Sequence, residues 1–149
     1  MNVKKTNQEK YGLILNVDQN LSISKANSFE SDEFNQCNDL EVVEDGFYFC
    51  GDFNKSLQLN GSEILSESGE TGYLLKFNSD FTLNWSKAVE ATISSNFKSV
   101  QIDESNDPTG LVEFDGTIND ANISSHEMRD IALFRSVSYT HLRAHETHN

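Results

Sequence analysis

The sequence has almost no proline, little cysteine and few basic residues. Its 149 residues include one proline and two cysteines. Two cysteines allow one disulfide at most, and such a bridge would indicate an oxidising compartment. Lysine and arginine total 11 against 24 aspartates and glutamates, which gives a formal net charge of −13. This charge disfavours nucleic acids and anionic membranes as partners, because both are bound through clustered Lys and Arg.

Long apolar runs and helical periodicity are also missing. No segment approaches the roughly 18 apolar residues that a membrane-spanning helix needs, so no membrane span is expected. Residues 1–10 carry lysines without an apolar stretch behind them, and we interpret them as a polar leader and not as a signal peptide. The chain does contain ten phenylalanines and 36% hydrophobic residues, a composition that supports a folded core.

A pattern that occurs twice organises the rest of the chain. Residues 11–26 and 72–88 each read as two short strands around a polar turn. With Tyr11 aligned to Tyr73, half of a sixteen-residue window is identical, where unrelated sequences would give roughly one match. The identical pairs are Tyr11/Tyr73, Leu13/Leu75, Asn16/Asn78, Asp18/Asp80, Leu21/Leu83, Ser24/Ser86, Lys25/Lys87 and Ala26/Ala88. We therefore interpret the chain as an array of repeats of about 60 residues, in which residues 131–135 open a third copy.

Two dipeptides predict tight hairpins, because Asp45-Gly46 and Asn60-Gly61 favour positive φ at both turn positions. A two-residue turn at Asp45-Gly46 pairs Glu44 with Phe47. This pairing places apolar side chains on both faces of the hairpin, as expected for a sheet packed between two neighbours. The predicted arms are residues 40–44 and 47–53 for the first turn, and residues 56–59 and 63–65 for the second.

Polar segments separate these strands. Residues 27–38, 66–71 and 115–130 are rich in polar side chains and are predicted as loops. Pro108 lies between predicted strands at residues 99–104 and 110–114, and it belongs in a turn or on an edge because proline cannot donate a hydrogen bond within a sheet. Short strands, closely spaced turns and the missing helical pattern favour an all-β fold, a two-blade fragment of a β-propeller, over a β-sandwich.

Three segments carry a family resemblance. They are Gly-Tyr-Leu-Leu-Lys-Phe-Asn-Ser-Asp from residue 72, Leu-Asn-Trp-Ser-Lys-Ala from residue 83, and Leu-Glu-Val-Val-Glu-Asp-Gly-Phe-Tyr-Phe-Cys-Gly-Asp-Phe from residue 40. These segments resemble the repeat of bacterial secreted and cell-surface β-propeller proteins, which often carry a type IX secretion sorting domain. The resemblance covers residues 11–135, which are one complete repeat and parts of two others. Phe81-Thr82 departs from the pattern, because the family usually has a Gly-containing turn at this place.

The resemblance implies a non-catalytic segment of a larger extracellular or surface protein with a scaffold or adhesive binding role. Its implied partners are neighbouring blades of the same chain and a protein or glycan ligand that the sequence does not identify. The family shares no catalytic residues, so we assign no catalytic, cofactor-binding or metal residue and expect no enzymatic activity. One alternative is an accessory propeller of a secreted hydrolase or lyase whose catalytic domain lies outside this chain. Another is an isolated cytoplasmic β domain.

The histidines near the C-terminus have the spacing of a metal site. His141, His145 and His148 would place three imidazoles on one face of a helix. However, residues 137–147 resemble one translated frame of a transposase-based sequencing adapter. We therefore interpret residues 136–149 as a non-native tail and exclude them from the fold.

A calcium loop is the next candidate for a metal site. Asp103, Ser105 and Asp107 have the odd spacing of such a loop, but Pro108 stands where the loop needs glycine. A weak Ca²⁺ site at these residues stays open on the sequence alone. A second polar group is no stronger a candidate for a metal site. It consists of Asp115, Asn119 and Asp120.

The remaining reactive side chains favour structural interpretations. His126 begins a near match to His-Glu-x-x-His, but Asp130 takes the last place, so an exposed loop histidine is expected. In the predicted pairing Cys37 lies about 13 Å from Cys50, and a disulfide spans at most about 7 Å between Cα atoms, so a bridge requires residues 35–38 to fold back. The period-two spacing favours packing between blades over a sugar-stacking platform for Tyr73, Phe77 and Trp85.

Overall fold

Antiparallel β-structure accounts for the folded part of the chain. The computed structural model describes residues 10–31, 33–59, 61–126, 128–136 and 142–146, and no helix occurs in these ranges. The strands are β1 (Lys10–Val17), β2 (Ile23–Ser31), β3 (Phe34–Val43), β4 (Gly46–Leu59), β5 (Ser62–Asn78), β6 (Leu83–Val89), β7 (Ser94–Ile102), β8 (Pro108–Asp115), β9 (Thr117–Ile118), β10 (Ile123–Ser124), β11 (Asp130–Ser136) and β12 (Leu142–Glu146). The all-β prediction is confirmed.

Two four-stranded meanders form the frame of the molecule. β3, β4, β5 and β6 pair antiparallel in chain order, and β7, β8, β11 and β12 do the same in a second sheet. The hairpin β1–β2 joins the first sheet where Phe29 and Ser31 pair with Leu59 and Leu57 of β4. β9 and β10 form a small separate hairpin. Most paired strands follow one another along the chain, because short turns can join antiparallel strands. The exceptions are β2 with β4, and β8 with β11.

β4 and β5 form one long hairpin whose last described pair, Leu59 with Ser62, flanks the predicted Asn-Gly turn. Ser56 pairs with Leu65 below that turn, which confirms the predicted arms. The predicted loop at residues 66–71 is wrong, because β5 continues through it and Thr71 pairs with Phe53. The polar residues stay in the strand because β4 lies beside them, and local composition does not reveal this partner.

The predicted loop at residues 27–38 is also mostly strand. β2 runs to Ser31 and β3 begins at Phe34. Phe29 is buried, and both Phe29 and Ser31 pair with the outer part of β4. The strand persists in this polar segment because the long β4–β5 hairpin supplies a pairing partner that is distant in sequence.

The turn between β3 and β4 has a different register from the predicted one. Gly46 pairs with Val43 and is part of β4, so the loop consists of Glu44 and Asp45. A Cβ atom at Gly46 would lie 1.9 Å from the carbonyl oxygen of Phe77. Glycine is therefore required here for the close approach of β5. Because the register shifts by two residues, both faces of the hairpin keep their predicted apolar side chains.

Each face of the β3–β6 meander contributes to a buried core cluster, and the sequence predicts two apolar faces for the β3–β4 hairpin. One face packs on the β1–β2 hairpin through a first core cluster of Ile14, Phe29, Phe47, Phe49, Phe53, Leu57, Leu59, Tyr73, Leu75 and Phe77. The other face packs on β7, β8 and β11 through a second core cluster that includes Tyr48, Cys50, Leu74, Val89, Phe97, Val100, Val112, Phe114, Ala132 and Phe134. The β3–β6 meander therefore lies between two neighbours, which is the arrangement that two apolar faces require.

Three hairpin turns share the same backbone hydrogen bonds. In each turn the first residue donates its N–H to the carbonyl four positions later and accepts from the N–H three positions later. The first residues are Asp18, Asn78 and Asp103. The fourth residues have left-handed φ angles of 62° at Leu21, 73° at Phe81 and 65° at Asn106. These are three-residue turns in which a left-handed residue closes the loop.

The hairpins β1–β2 and β5–β6 are equivalent at a spacing of 60 residues, whereas the sequence alignment predicts 62. Their turns open at Asp18 and Asn78, and each hairpin has an irregularity one position before its turn. The irregularities of β3 and β7, which follow Cys37 and Phe97, have the same spacing. The predicted alignment is wrong by two residues because strand patterns recur at every second position, so a shift of two matches the same faces.

Candidate functional site

The end of the molecule that contains β1 and β3 exposes a group of large hydrophobic side chains. Seven of the twelve such side chains that are exposed in the described residues lie in β1, its turn, β2 and β3. They are Leu13, Leu15, Val17, Leu21, Ile23, Leu40 and Val42. Hydrophobic side chains that are exposed together mark an interaction surface, whereas scattered single ones do not.

An open groove, the β1–β3 groove, runs between these two strands. Its lining includes Ile14, Leu15, Leu40, Val42, Phe47 and Phe81 towards the turns, and Gly12, Phe29, Cys37 and Phe49 towards the other end. Leu40 is 42% exposed and Val42 is 72% exposed, so the wall formed by β3 is uncovered. On the opposite wall, β1 pairs with β2 and with no other described strand, so its second edge is open to pairing.

A polar network links the two meanders. The Nδ2 atom of Asn38 on β3 donates to Oδ1 of Asp52 on β4 and to Oδ1 of Asn96 on β7, both at 2.9 Å. The same nitrogen lies 2.8 Å from the carbonyl oxygen of Phe97. Nδ2 of Asn96 then donates to Oε1 of Glu70 on β5 at 2.9 Å. The network therefore ties three strands of one sheet to the first strand of the next.

Asp52 is the most perturbed carboxyl group of this network. It is 0% exposed, and its Oδ2 atom accepts no hydrogen bond. Burial, and secondarily the charge of Glu70, raise the pKa of Asp52 to about 6. Asp52 is not among the residues that the sequence predicts as functional, although it lies two positions after Cys50 and therefore on the same inward face of β4.

An ion pair between a buried lysine and an exposed aspartate holds the loop between β3 and β4. Lys76 is 4% exposed, and its Nζ atom lies 2.5 Å from Oδ1 of Asp45 and 4.5 Å from the ring centroid of Tyr48. The hydrogen bond from Lys76 holds the pKa of Asp45 below its usual value, and burial raises the pKa of Tyr48. The pair connects the loop to β5, which is a structural role.

The candidate calcium loop is built as a turn and pairs with an arginine. Oδ1 of Asp103 accepts hydrogen bonds from the backbone N–H groups of Ser105 at 2.8 Å and Asp107 at 3.0 Å. The Asp107 bond is the main cause that holds the pKa of Asp103 low. Oδ2 of Asp103 pairs with the guanidinium of Arg135, which also lies 3.6 Å from Asp107. Arg135 thus supplies positive charge to both carboxylates.

The structure distributes the second polar group over different contacts. Asp115 pairs with Ser94 in the sheet, and the backbone N–H of Asn119 donates to the carbonyl of Glu90 at 3.0 Å. Asp120 forms an ion pair with Lys87. In the part of the chain that the structure describes, no three His, Cys, Asp or Glu side chains group as metal ligands.

The aromatic candidates lie in the core. Tyr73 and Phe77 are buried in the first core cluster, and the Tyr73 hydroxyl donates to the carbonyl oxygen of Gln36 at 3.0 Å. Trp85 packs edge-to-face on Tyr48 with ring centroids 5.9 Å apart. Tyr73 and Phe77 thus pack within a core cluster and Trp85 packs against the other, which favours packing over a sugar-stacking platform. Packing between blades stays a prediction.

The cysteines and His126 also have structural surroundings. Cys37 is exposed and Cys50 is buried, and both are free thiols. Burial raises the pKa of Cys50 to about 12, which makes its thiol unreactive. His126 is exposed in the loop before β11, and its backbone N–H donates to Oδ2 of Asp130 at 2.8 Å. The prediction of an exposed loop histidine is confirmed.

The tail is only partly described. His141 and His148 lie outside the described residues, and for His145 the structure gives only a backbone position in β12, which pairs with β11. The non-native interpretation of residues 136–149 stays a prediction.

Similarity to known proteins gives no further direction. None of the described segments forms a helix that could cross a membrane. A comparison with protein-family models matches no family, and a comparison with curated proteins finds no relative. The geometry of the chain is therefore the basis on which its function is argued.

Proposed function

We propose that the chain is a non-catalytic repeat segment of a β-propeller in a larger extracellular or cell-surface protein, where it acts as a scaffold or binding surface. One observation carries the proposal. The β3–β6 meander is a four-stranded antiparallel sheet that packs on neighbouring β-structure through a buried core cluster on each face. Propeller blades are four-stranded sheets arranged around a central channel, so each blade has a neighbour on either side.

The spacing of 60 residues supports the same assignment. In this proposal β1–β2 is the outer half of one blade, β3–β6 is a complete blade, and β7, β8 and β11 belong to the next. The place beside β11 where the fourth strand of that blade would lie is taken by β12, which is part of the tail interpreted as non-native. Equivalent turns and strand irregularities then recur at equivalent places in successive blades. Repeats of this kind bury their apolar faces by stacking, so each contributes to the stability of the next.

The surface chemistry suits a scaffold or adhesive role. A net charge of −13 opposes binding to polyanions and leaves proteins and neutral glycans as partners. The polar side chains between the two meanders hydrogen-bond to one another, so they hold the strands in place, which supports a scaffold role.

Long-read sequencing of the source DNA on both sides of this coding segment tests the proposal. We expect the reading frame to continue through further copies of about 60 residues that keep the Gly-aromatic pattern of β4, with an export signal at one end. A stop codon directly after Arg135, with no coding sequence before Met1, would overturn the proposal. A catalytic domain in the same frame would overturn the non-catalytic role and favour the accessory propeller of a hydrolase or lyase.

A further inference from the structure

We propose that the β1–β3 groove is a strand-docking site. It receives a β-strand that pairs antiparallel with the open edge of β1, in the register by which β4 pairs with β5. The inference rests on the proposed function, because an array of repeats supplies strands of the β4 type. It adds the identity of the partner for this surface.

The edges of β1 and β5 give the first argument. β1 is equivalent to β5 at the spacing of 60 residues, and each of the two strands pairs with the strand that follows it. β5 also pairs with β4 along its other edge. No described strand occupies that place beside β1. An open edge is a template for strand addition, so the strand that completes β1 corresponds to β4.

The wall of the groove gives an independent argument. At the same spacing, Leu40 and Val42 of β3 correspond to Val100 and Ile102 of β7. Val100 is 1% exposed and lies in the second core cluster, and Ile102 packs against this cluster. β4 contributes inward side chains to the same cluster. Leu40 is 42% exposed and Val42 is 72% exposed. The same positions are thus covered where a β4 strand is present and open where it is absent.

The register defines the chemistry of the occupant. On β4, Phe47, Phe49 and Gly51 pair with Phe77, Leu75 and Tyr73 of β5. The corresponding positions on β1 are Val17, Leu15 and Leu13. The side chains that point into the second core cluster from β4 are Tyr48 and Cys50. The occupant is therefore a strand with an aromatic residue and a small apolar residue at two alternate positions that face the groove.

A second copy of the chain does not supply this strand in its folded state. β4 pairs with β3 on one edge and with β5 on the other. A copy could donate it only by opening its own central sheet and exposing both core clusters. The occupant is therefore a β4-type strand from outside the described residues.

A peptide tests the site on the full 149-residue chain. It has the sequence of residues 46–52 with alanine in place of the cysteine, which prevents a disulfide with Cys37, and carries flanking lysines and a fluorophore. We expect binding in fluorescence anisotropy and slower hydrogen exchange of the β1 amides. Val42→Asp places a charge in the groove and should weaken binding by at least about tenfold. The matched control is Leu65→Asp, at a side chain that is 61% exposed outside the groove lining, and it should bind as the wild type does.

Three results would overturn the docking site. They are absence of binding to the wild type, equal binding to wild type and Val42→Asp, and binding without protection of β1. Self-association that protects β1 without peptide would also overturn it, because a second copy would then be the occupant. This test can fail separately from the proposed function. If the DNA encodes further repeats but the peptide does not bind, the docking site is wrong and the propeller proposal stands. If the peptide binds but the DNA encodes no further repeats, the docking site stands without the propeller.

Discussion

Leucine and phenylalanine occupy backbone positions that usually belong to glycine or asparagine. Leu21 and Phe81 have φ angles of 62° and 73° at equivalent turn positions, and Asn106 has 65° in the third turn. A left-handed conformation costs a bulky L-residue about 1–2 kcal/mol, whereas asparagine tolerates it better. The Phe81 ring compensates by packing on Phe47 with ring centroids 5.0 Å apart. Leu21 is 84% exposed, so its strain is not offset in this way.

Replacement of Leu21 by glycine should therefore stabilise the protein. Relief of the strained φ outweighs the backbone entropy of glycine, and we expect a gain of about 0.5–1 kcal/mol in the free energy of unfolding. Phe81→Gly is the matched control, because it relieves the same strain but loses the ring contact and should destabilise the protein. Urea unfolding measures both variants. A loss of stability in Leu21→Gly would contradict the presence of releasable strain.

The carboxyl group of Asp52 makes the packing of the two meanders sensitive to pH. Its pKa rises from 3.8 to about 6 on folding, mainly because of burial. The folded state therefore binds this proton more tightly than the unfolded chain. The resulting stabilisation is fully present below pH 3.8 and is lost as the pH rises through about 6. Asp45, Asp103 and Glu113 have lowered pKa values and contribute the opposite dependence in more acidic solution.

Substitution of Asp52 by asparagine should remove this pH dependence. Between about pH 5 and pH 7.5 the wild type should lose about 1–1.5 kcal/mol of unfolding free energy that Asp52→Asn retains. Glu70→Gln is a second variant, in which loss of the neighbouring charge should lower the Asp52 pKa and reduce the slope. Urea unfolding at several pH values gives the slopes. Parallel curves for wild type and Asp52→Asn would show that Asp52 is not the titrating group.

At the scale of the elements, two Gly turns that look alike in the sequence serve different purposes. A Cβ atom at Gly46 would lie 1.9 Å from the carbonyl oxygen of Phe77, whereas Gly61 has a φ of 87° and nothing within 4 Å. Gly46→Ala should force β4 away from β5 and cost about 3 kcal/mol of unfolding free energy. Gly61→Ala should lower the free energy of unfolding by only about 1 kcal/mol, because alanine is strained in the left-handed backbone of this position. Chemical denaturation compares them, and equal costs would contradict the close approach at Gly46.

The elements that the sequence predicts correctly are those set by local signals. The Asn-Gly turn and period-two alternation are sufficient to define the arms of the β4–β5 tip and the two apolar faces of the β3–β4 hairpin. The polar composition of residues 27–38 and 66–71 predicts loops, yet a partner strand keeps most of these residues extended. The register at Gly46 was missed for a similar reason, because it depends on the approach of Phe77 from another strand.

The candidate site was not predictable in the same way. Leu40 and Val42 fit the apolar face that the sequence predicts, and they do lie on that face. Their exposure depends on which strand covers them, and this is a property of the stack and not of the local pattern. Asp52 is not predictable because an isolated acidic residue near the end of a predicted strand is expected to be exposed to solvent. Its burial depends on neighbours from β3 and β7, which the sequence does not show.

At the scale of the whole molecule, the sheets form a stack in which position determines burial. On β5, Tyr73, Leu75 and Phe77 are 0%, 0% and 1% exposed. Their equivalents on β1 are Leu13, Leu15 and Val17, at 60%, 41% and 46%. The two strands have similar apolar patterns, but β5 has a neighbouring hairpin over this face and a partner on each edge. The stability of β1 should therefore be lower than its sequence alone indicates.

Hydrogen exchange should be slowest in β4 and β5 and faster in β1. A hairpin that packs on a neighbour through one face only opens with a lower free energy than a hairpin packed on both faces. We expect amides of β1 that bond to β2 to exchange at least about tenfold faster than the equivalent amides of β5 that bond to β6. Exchange read out by NMR resolves individual amides. β2 and β6 follow turns with the same backbone hydrogen bonds, so their amides give an internal comparison. Equal protection of β1 and β5 would mean that the β1–β2 hairpin is stable without a neighbour on its outer face, and stacking would then not be the source of its stability.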